Sequence, residues 1–268
     1  WNSNLSLKFA KLIKKKFVNP IIVFGGPNLP TDQGEQENFL RKNRVVDFHV
    51  VKEGEKAFHG LVQALIDKNF DKSQIDCDLA SLIFLDKDDS FKSSHKVDRT
   101  LNLEEIPSPY LTGLMDEYFD GRLLPIIQTN RGCPFMCTFC TEGMNYWNKV
   151  YKNSQQKVDD EIYYIAKQMD SIGNNRRSDL HIADSNFGMY KQDIDTAKTL
   201  SQAQDKYNYP QYINVATGKN KKERVLEVAK ILNGAMKVLD DDPLLYTDSY
   251  NNKGQASYFI DNRHDNSM

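Results

Sequence analysis

The sequence lacks any apolar run long enough to cross a membrane. A membrane-spanning helix needs roughly 20 consecutive apolar residues, and no stretch of the 268 residues comes near that length. An excess of basic charge is also missing, because 35 Lys and Arg stand against 37 Asp and Glu, for a net charge of −2. No overall positive field exists to attract nucleic acid. We therefore expect no membrane partner, and nucleic-acid binding is not indicated.

Cysteine is scarce, and its spacing is uneven. Only four are present, and three of them, Cys133, Cys137 and Cys140, lie within eight residues. Residues so close together cannot cross-link distant loops as structural disulfides do. Metal chemistry in a reducing cytoplasm explains them better, and Cys77 is then a free thiol. We predict a cytoplasmic protein.

An initiating methionine and a secretion signal are both missing from the start, Trp1-Asn2-Ser3-Asn4. We expect the true start of the protein to lie upstream. The composition is otherwise that of a folded protein, with 40% hydrophobic and 27% charged residues. The sequence therefore predicts one large or two ordinary domains.

The first 70 residues alternate between helical and strand patterns. Apolar residues recur at helical spacing from Leu5, and the short run Ile21–Phe24 then meets Gly25-Gly26-Pro27, as a strand followed by a turn does. Val45–Val51 is predicted as a second strand, and an apolar helical stripe follows Glu53-Gly54-Glu55. This alternation predicts an α/β domain with a layered parallel sheet.

Periodicity fades over 71–121, which we predict to be a connector, and resumes over 122–239, which we predict to be a second α/β domain. In the tail, 240–268, neither the helical nor the strand period is clear, and we predict an irregular segment. We further predict that the sequence of this tail departs from the reading frame of the ancestral protein. In the second domain we predict four strands: one over Leu124–Thr129, one that ends near Ala183, one over Tyr212–Ala216 and one that starts at Ala235. We predict three helices, over Val158–Met169, Asp193–Ala203 and Glu223–Leu232.

The cysteine loop offers three thiolates directly after a predicted strand, in the order Cys133-Pro-Phe-Met-Cys137-Thr-Phe-Cys140. Thiolates at such spacing suit zinc or an iron–sulfur cluster. A structural zinc site normally has four protein ligands, and no nearby Cys or His offers the fourth. Cys77 and His181 are distant in sequence, although folding could bring either close. A [4Fe-4S] cluster with three cysteines leaves one iron open to another molecule.

The same loop resembles that of the radical S-adenosylmethionine (SAM) enzymes, whose signature is C-x3-C-x-aromatic-C after the first barrel strand. Asn130 to Cys140 fits it, with Phe139 as the aromatic residue. Three flanking segments resemble the subgroup that carries an N-terminal cobalamin-binding domain: Ile106-Pro107-Ser108-Pro109-Tyr110, Glu161-Ile162 and Ile182-Ala183-Asp184-Ser185-Asn186-Phe187-Gly188.

The resemblance implies an α/β fold, with a partial Rossmann-like cobalamin-binding domain followed by a partial (β/α) radical SAM barrel. It implies three cluster ligands, Cys133, Cys137 and Cys140, and an enzyme that reductively cleaves SAM to a 5′-deoxyadenosyl radical. Such a barrel commonly has six βα units, and the sequence accounts for three and the start of a fourth. We therefore expect an internal fragment of a longer enzyme.

Three further residues are implied to contact SAM. Phe139 is expected beside the adenine, and Asp184 where family members receive the ammonium group, with Asn186 next to it. The family's Gly-Gly-Glu pattern is here Asp184-Ser185-Asn186. Two structural alternatives stay open: Asp184 as a helix cap or strand-end turn, and Phe139 as a core residue.

Residues 20–66 resemble the second half of a cobalamin-binding domain. Gly25 and Gly26 at a strand end would let cobalamin approach the backbone, although an ordinary turn explains them as well. The Asp-x-His-x-x-Gly motif that ligates cobalt in many such domains is absent. The resemblance thus implies cobalamin as a cofactor of the longer parent protein.

The function predicted is cobalamin-dependent methyl transfer or other carbon-centred radical chemistry. A small-molecule or biosynthetic-intermediate substrate and a reducing electron donor, such as flavodoxin or ferredoxin, are the expected partners. Three alternatives remain: a non-enzymatic iron–sulfur electron-transfer module, a zinc-binding module, or an inactive fragment of the enzyme.

Overall fold

The computed structural model describes residues 2–26, 28–94, 99–218 and 220–232, together with the backbone of 259–261. The chain forms two compact units, Trp1–Leu101 and Asn102–Met268. Both alternate helices and strands, which confirms the α/β fold class. In the described part of the chain no helix has the length and apolar character needed to span a membrane.

The described residues of the first unit form three α-helices and four strands. Asp32 caps the second helix, because its carboxylate accepts a hydrogen bond from the backbone N–H of Glu35 at 2.9 Å. In chain order the elements are α1 (Asn2–Lys16), β1 (Val23–Phe24), α2 (Gln33–Lys42), β2 (Phe48–Val50), α3 (Glu55–Asp67), β3 (Leu82–Leu85) and β4 (Phe91–Ser93).

The sheet of this unit has the order β1-β2-β3-β4 and is mixed. Only β1 and β2 are parallel, while β3 runs antiparallel to β2, and β4 to β3. The predicted parallel sheet is therefore wrong beyond its first pair. Strands β3 and β4 also lie within residues 71–121, where we expected a connector. They form a hairpin whose turn is closed by Asp86, which accepts from the backbone N–H groups of Asp88 and Ser90.

The core of the first unit lies on both faces of its sheet. Leu61 and Leu65 of α3 pack against Phe48 and Phe84 on one face, and Leu40 of α2 packs with Ile83 on the other. Helix α1 forms as predicted, but its apolar stripe faces outward. Among its residues, only Ala10 is buried, and the apolar residues Leu5, Phe9, Leu12 and Ile13 are exposed.

The second unit is a regular βα succession around a parallel sheet of order β10-β9-β8-β5. A separate antiparallel pair, β6 and β7, lies beside the cysteine loop. The elements are β5 (Ile126–Ile127), β6 (Asn130–Arg131), β7 (Tyr151–Lys152), α4 (Gln155–Ile172), β8 (Asp179–Phe187), α5 (Lys191–Tyr207), β9 (Tyr212–Thr217), α6 (Lys222–Ile231) and β10 (Phe259–Asp261).

One continuous core holds the second unit together. Helix α4 contributes the stripe predicted from the sequence, with all five of its apolar residues buried. In α6, Ala229 is buried as predicted, as is Leu232 directly after the helix, while Val225 and Leu226 are only half-buried. The five residues of the α4 stripe are Val158, Ile162, Ile165, Ala166 and Met169.

Several predicted boundaries of this unit differ in the structure; strand β5, for example, covers only Ile126–Ile127 of the predicted strand Leu124–Thr129. Strand β8 extends four residues past Ala183 to Phe187, because it resumes pairing with β9 after a break in register between Ile182 and Phe187. Strand β10 lies within the segment predicted to be irregular and pairs in parallel with β9. The strand predicted to start at Ala235 lies outside the described residues, and the proposed domain boundaries stay a prediction.

Candidate functional site

The cysteine loop leaves the sheet just after β5 and is closed at its base by β6 and β7. Asn130 pairs with Lys152, and Arg131 with Tyr151. The backbone N–H of Cys133 donates to the carbonyl of Trp147 at 2.9 Å. Residues 132–150 therefore form a loop whose two ends are hydrogen-bonded together.

The three predicted cluster ligands lie at different depths in this loop. Cys133 is buried, Cys137 and Cys140 are half-buried, and all three are free thiols. The backbone N–H of Cys140 donates to the carbonyl of Cys137 at 3.2 Å, and Gly143 donates to Cys140 at 2.9 Å. A Cβ on Gly143 would overlap the carbonyl oxygen of Cys137. Glycine at position 143 is therefore what lets the turn close behind Cys137.

The donor set fits an iron–sulfur cluster chemically, since three soft thiols from one loop are free and two of them reach solvent. In the parts of the chain that the structure describes, no three His, Cys, Asp or Glu side chains are gathered as a single metal ion requires. The assignment of the three ligands thus stays a prediction that rests on their chemistry and position.

Phe139 lies at the tip of the loop and is 88% exposed. The alternative that Phe139 packs in the core is therefore wrong. Its ring is free to contact a ligand, as the resemblance implies, and that contact stays a prediction.

Asp184 is almost fully buried in β8, and its carboxylate faces the residues that lead into the cysteine loop. It accepts hydrogen bonds from the backbone N–H of Thr129 at 2.8 Å, the backbone N–H of Asn130 at 3.2 Å and the Asn130 side-chain amide at 2.7 Å. The Thr129 hydroxyl donates as well. Burial raises the pKa of Asp184 to about 7, against the opposing effect of these hydrogen bonds. Asp184 lies within β8 and bonds residues far away in the sequence, so it forms neither the helix cap nor the strand-end turn considered above.

Asn186, also buried, contacts a predicted cluster ligand directly. Its side-chain N–H group donates to Sγ of Cys133 at 3.2 Å. Its Oδ1 is buried, and no partner for it is found among the described residues. The structure thus leaves one acceptor beside Cys133 that a bound molecule could use.

Tyr190 was not singled out from the sequence, yet it lies in the electrostatic environment of Cys133. Burial, together with the charges of Cys133 and Asp193, raises its pKa to about 12. Its buried hydroxyl also finds no hydrogen-bond partner within the described part of the chain. Thr129 and Asn130 were missed in the same way, because their contact with Asp184 joins residues 54 and 55 positions apart.

In the first unit, Gly25 and Gly26 follow β1 as predicted. Gly26 has a φ of +97°, and a Cβ on it would meet nothing within 4 Å. A Cβ on Gly25 would approach nothing closer than the Val50 carbonyl at 3.8 Å. The backbone here is open to close approach, and whether cobalamin binds there stays a prediction.

No family model matches the chain. It is 30% identical over 88% of its length to the cobalamin-dependent radical SAM methyltransferase TokK of Streptomyces tokunonensis, and covers 33% of that protein. It is 28% identical, with the same coverage, to the 2-(S-pantetheinyl)-carbapenam-3-carboxylate methyltransferase of Streptantibioticus cattleyicolor. The chain is related to cobalamin-dependent radical SAM enzymes. The resemblance described from the sequence is thereby confirmed.

A solved structure has a similar fold. The structure of the cobalamin-dependent SAM radical enzyme OxsB with aqua-cobalamin bound superposes with a TM-score of 0.59 at 22% identity, over 85% of this chain and 32% of that one. This cobalamin-dependent radical SAM relative thus shares the fold. The chain spans about a third of the length of these two curated relatives.

Proposed function

We propose that this chain is part of a cobalamin-dependent radical SAM enzyme, in which Cys133, Cys137 and Cys140 bind a [4Fe-4S] cluster. The observation that carries the proposal is the position of three free thiols on one loop, closed at its base by β6 and β7 at the end of a parallel strand. Ligand sites in open α/β sheets lie at the carboxyl ends of strands.

A [4Fe-4S] cluster held by Cys133, Cys137 and Cys140 would supply one electron for the cleavage of SAM to methionine and a 5′-deoxyadenosyl radical. This chain's residues would position the reactants. Cys133 is held in the protein by Asn186, while Cys137, Cys140 and Phe139 face solvent, where SAM can reach them. We place SAM over this exposed side of the loop, with Phe139 beside the adenine and Oδ1 of Asn186 as a further acceptor.

The methyl-transfer part of the proposal rests on the relatives and on the first unit. TokK is named a cobalamin-dependent methyltransferase, and the open backbone at Gly25 and Gly26 suits a large planar ligand. We propose that cobalamin approaches this edge. The substrate would be a small molecule or biosynthetic intermediate, and a reducing protein such as flavodoxin or ferredoxin would supply the electron.

Anaerobic reconstitution with iron and sulfide tests this function. We expect about four iron and four sulfide ions per chain, an electron paramagnetic resonance (EPR) signal on reduction, and a change in that signal when SAM is added. Cys137→Ser should lose the cluster, whereas Cys77→Ser, a matched change at a half-buried thiol of the first unit, should keep it.

Tightly bound zinc without iron would overturn the proposal in favour of a zinc module. A cluster that forms but does not respond to SAM would favour an electron-transfer module. A cluster that survives in Cys137→Ser would show that the ligands are wrongly assigned.

A further inference from the structure

Two buried polar side chains at the end of β8 reach the base of the cysteine loop. Asp184 and Asn186 are 2% and 1% exposed, and they occupy alternate positions of the strand. Residues at alternate positions of a strand face the same side. Asp184 contacts Thr129 and Asn130, and Asn186 contacts Cys133. The end of β8 therefore contacts the loop at two points. One is Thr129 and Asn130, before the first cysteine, and the other is the first cysteine, Cys133.

The contact made by Asp184 uses both of its carboxylate oxygens. Oδ1 accepts from the backbone N–H groups of Thr129 and Asn130, and Oδ2 accepts from the Asn130 amide and the Thr129 hydroxyl. A carboxylate offers about four lone-pair sites, and here four donors occupy them. An ammonium group from a ligand would have to displace these donors and leave buried N–H groups unpaired.

The loop base held by Asp184 is also fixed from its other side. The carbonyl of Thr129 accepts from the backbone N–H of Asn153 at 2.9 Å, and the Asn153 side chain donates to the carbonyl of Gln128 at 2.8 Å. Thr129 is thus bound through its N–H to β8 and through its carbonyl to the residue after β7. Its position, and that of the chain entering the loop, is set by both contacts.

We propose that Asp184 is a positioning residue that fixes the loop base, Thr129 and Asn130, and thereby the location of Cys133, and that it does not receive the ammonium group of SAM. Cys133 is three positions after Asn130, a span of about 10 Å at full extension. A displaced loop base therefore moves the buried ligand. The proposal refines the function proposed above, and its link to the cluster rests on that function.

The test uses the full chain and three variants. Asp184→Ala removes the carboxylate. Thr129→Val removes one donor to it without touching Asp184, and Thr129→Ser restores that donor as the conservative control. Circular dichroism establishes which variants keep the fold, and Thr129→Val serves if Asp184→Ala does not fold.

The first measurement needs no cluster. In the apo protein, mass spectrometry follows the alkylation of each cysteine, and we expect Cys133, which is 4% exposed, to react slowly. Asp184→Ala and Thr129→Val should alkylate Cys133 several-fold faster, with Cys77 unchanged, and Thr129→Ser should behave as wild type. Unchanged alkylation of Cys133 in both disruptive variants would overturn the proposal.

The second measurement is the EPR spectrum of the reduced, reconstituted protein before and after SAM. A positioning role predicts that Asp184→Ala and Thr129→Val shift the signal before SAM is added. A direct contact with SAM predicts instead a wild-type signal before SAM and no response afterwards in Asp184→Ala alone, which would overturn the proposal. If wild type forms no cluster while the alkylation differences hold, the proposed function fails and the positioning of Cys133 by Asp184 stands.

Discussion

The strand ends of the two units are built in opposite ways. In the first unit the chain leaves β1 through Gly25 and Gly26. A Cβ added to Gly26 would have no neighbour within 4 Å. In the second unit the last residues of β8 include buried Asp184 and Asn186, which are hydrogen-bonded to the base of the cysteine loop and to Cys133. The open backbone after β1 leaves room for a large ligand. The end of β8 is instead filled by buried, hydrogen-bonded side chains, and these fix a loop that is itself proposed to bind the ligand.

We expect the largest effect on the free energy of unfolding when a core residue of the second unit, which contains β8, is truncated. Ile165 is completely buried at the centre of the continuous core of the second unit. Ile165→Ala should lower the free energy of unfolding by about 2–5 kcal/mol, because it removes buried apolar contacts and leaves a cavity. Urea unfolding measures this, with Ile126→Ala, at a residue that is 51% exposed, as the control. If Ile165→Ala lost no more free energy of unfolding than the control, the unit that contains the end of β8 would not depend on this core.

A substitution inside the cysteine loop should come next. Gly143→Ala places a methyl group against the backbone of Cys137, including its nitrogen at 2.9 Å. Overpacking of this kind costs about 1–3 kcal/mol, so we expect roughly a tenfold or greater loss in cluster retention, measured as iron bound after gel filtration.

The control for this change is Gly60→Ala in α3, where the nearest atom to the new methyl group is 3.8 Å away. It should bind as much iron as wild type. If Gly143→Ala bound as much iron as wild type, the turn at Cys137 would accommodate the added methyl group, and the cysteine loop would be less rigid than its contacts with the end of β8 imply.

The open end of the first unit is tested by Gly25→Ala. The added methyl group meets only an ordinary contact in the protein, so the free energy of unfolding should change by less than about 0.5 kcal/mol. It would occupy space proposed for cobalamin, and we expect about tenfold weaker binding on the scale of one overpacked methyl group. A titration followed by visible absorbance measures the affinity. Unchanged affinity would place cobalamin elsewhere and remove the contrast between the two ends.

The smallest effect concerns a buried carboxyl group of α4. Burial raises the pKa of Glu161 above its ordinary value of 4.5, while a hydrogen bond from Ser108 lowers it. The native state therefore holds this proton to higher pH than the unfolded chain, so wild type loses stability as the pH rises from 4.5 through the native pKa. Glu161→Gln cannot titrate, and its stability relative to wild type should rise over that range. Parallel pH profiles from chemical unfolding would contradict this.

Local patterns were sufficient for helices such as α4. The five apolar residues of its predicted stripe recur at the helical period, and the structure buries all five, because an amphipathic stripe needs only one apolar surface to pack against. The motif of the cysteine loop could likewise be recognised from spacing alone. The strands β3 and β4 were missed, since two short strands with an Asp-rich turn carry little periodic signal, and their pairing with β2 depends on residues far away in the sequence.

The sequence by itself determined the α/β class, the loop with three thiols and the glycines at the end of β1, because each depends on residue types at short, fixed spacings. Only the tertiary structure decided how Asp184 and Asn186 are used. Parallel pairing of Ile127 with Ile182 brings β8 beside the entry to the loop, and the donors that meet Asp184 come from residues 54 and 55 positions earlier. Hydrogen bonds over such separations form only after the chain has folded, so no local pattern records them.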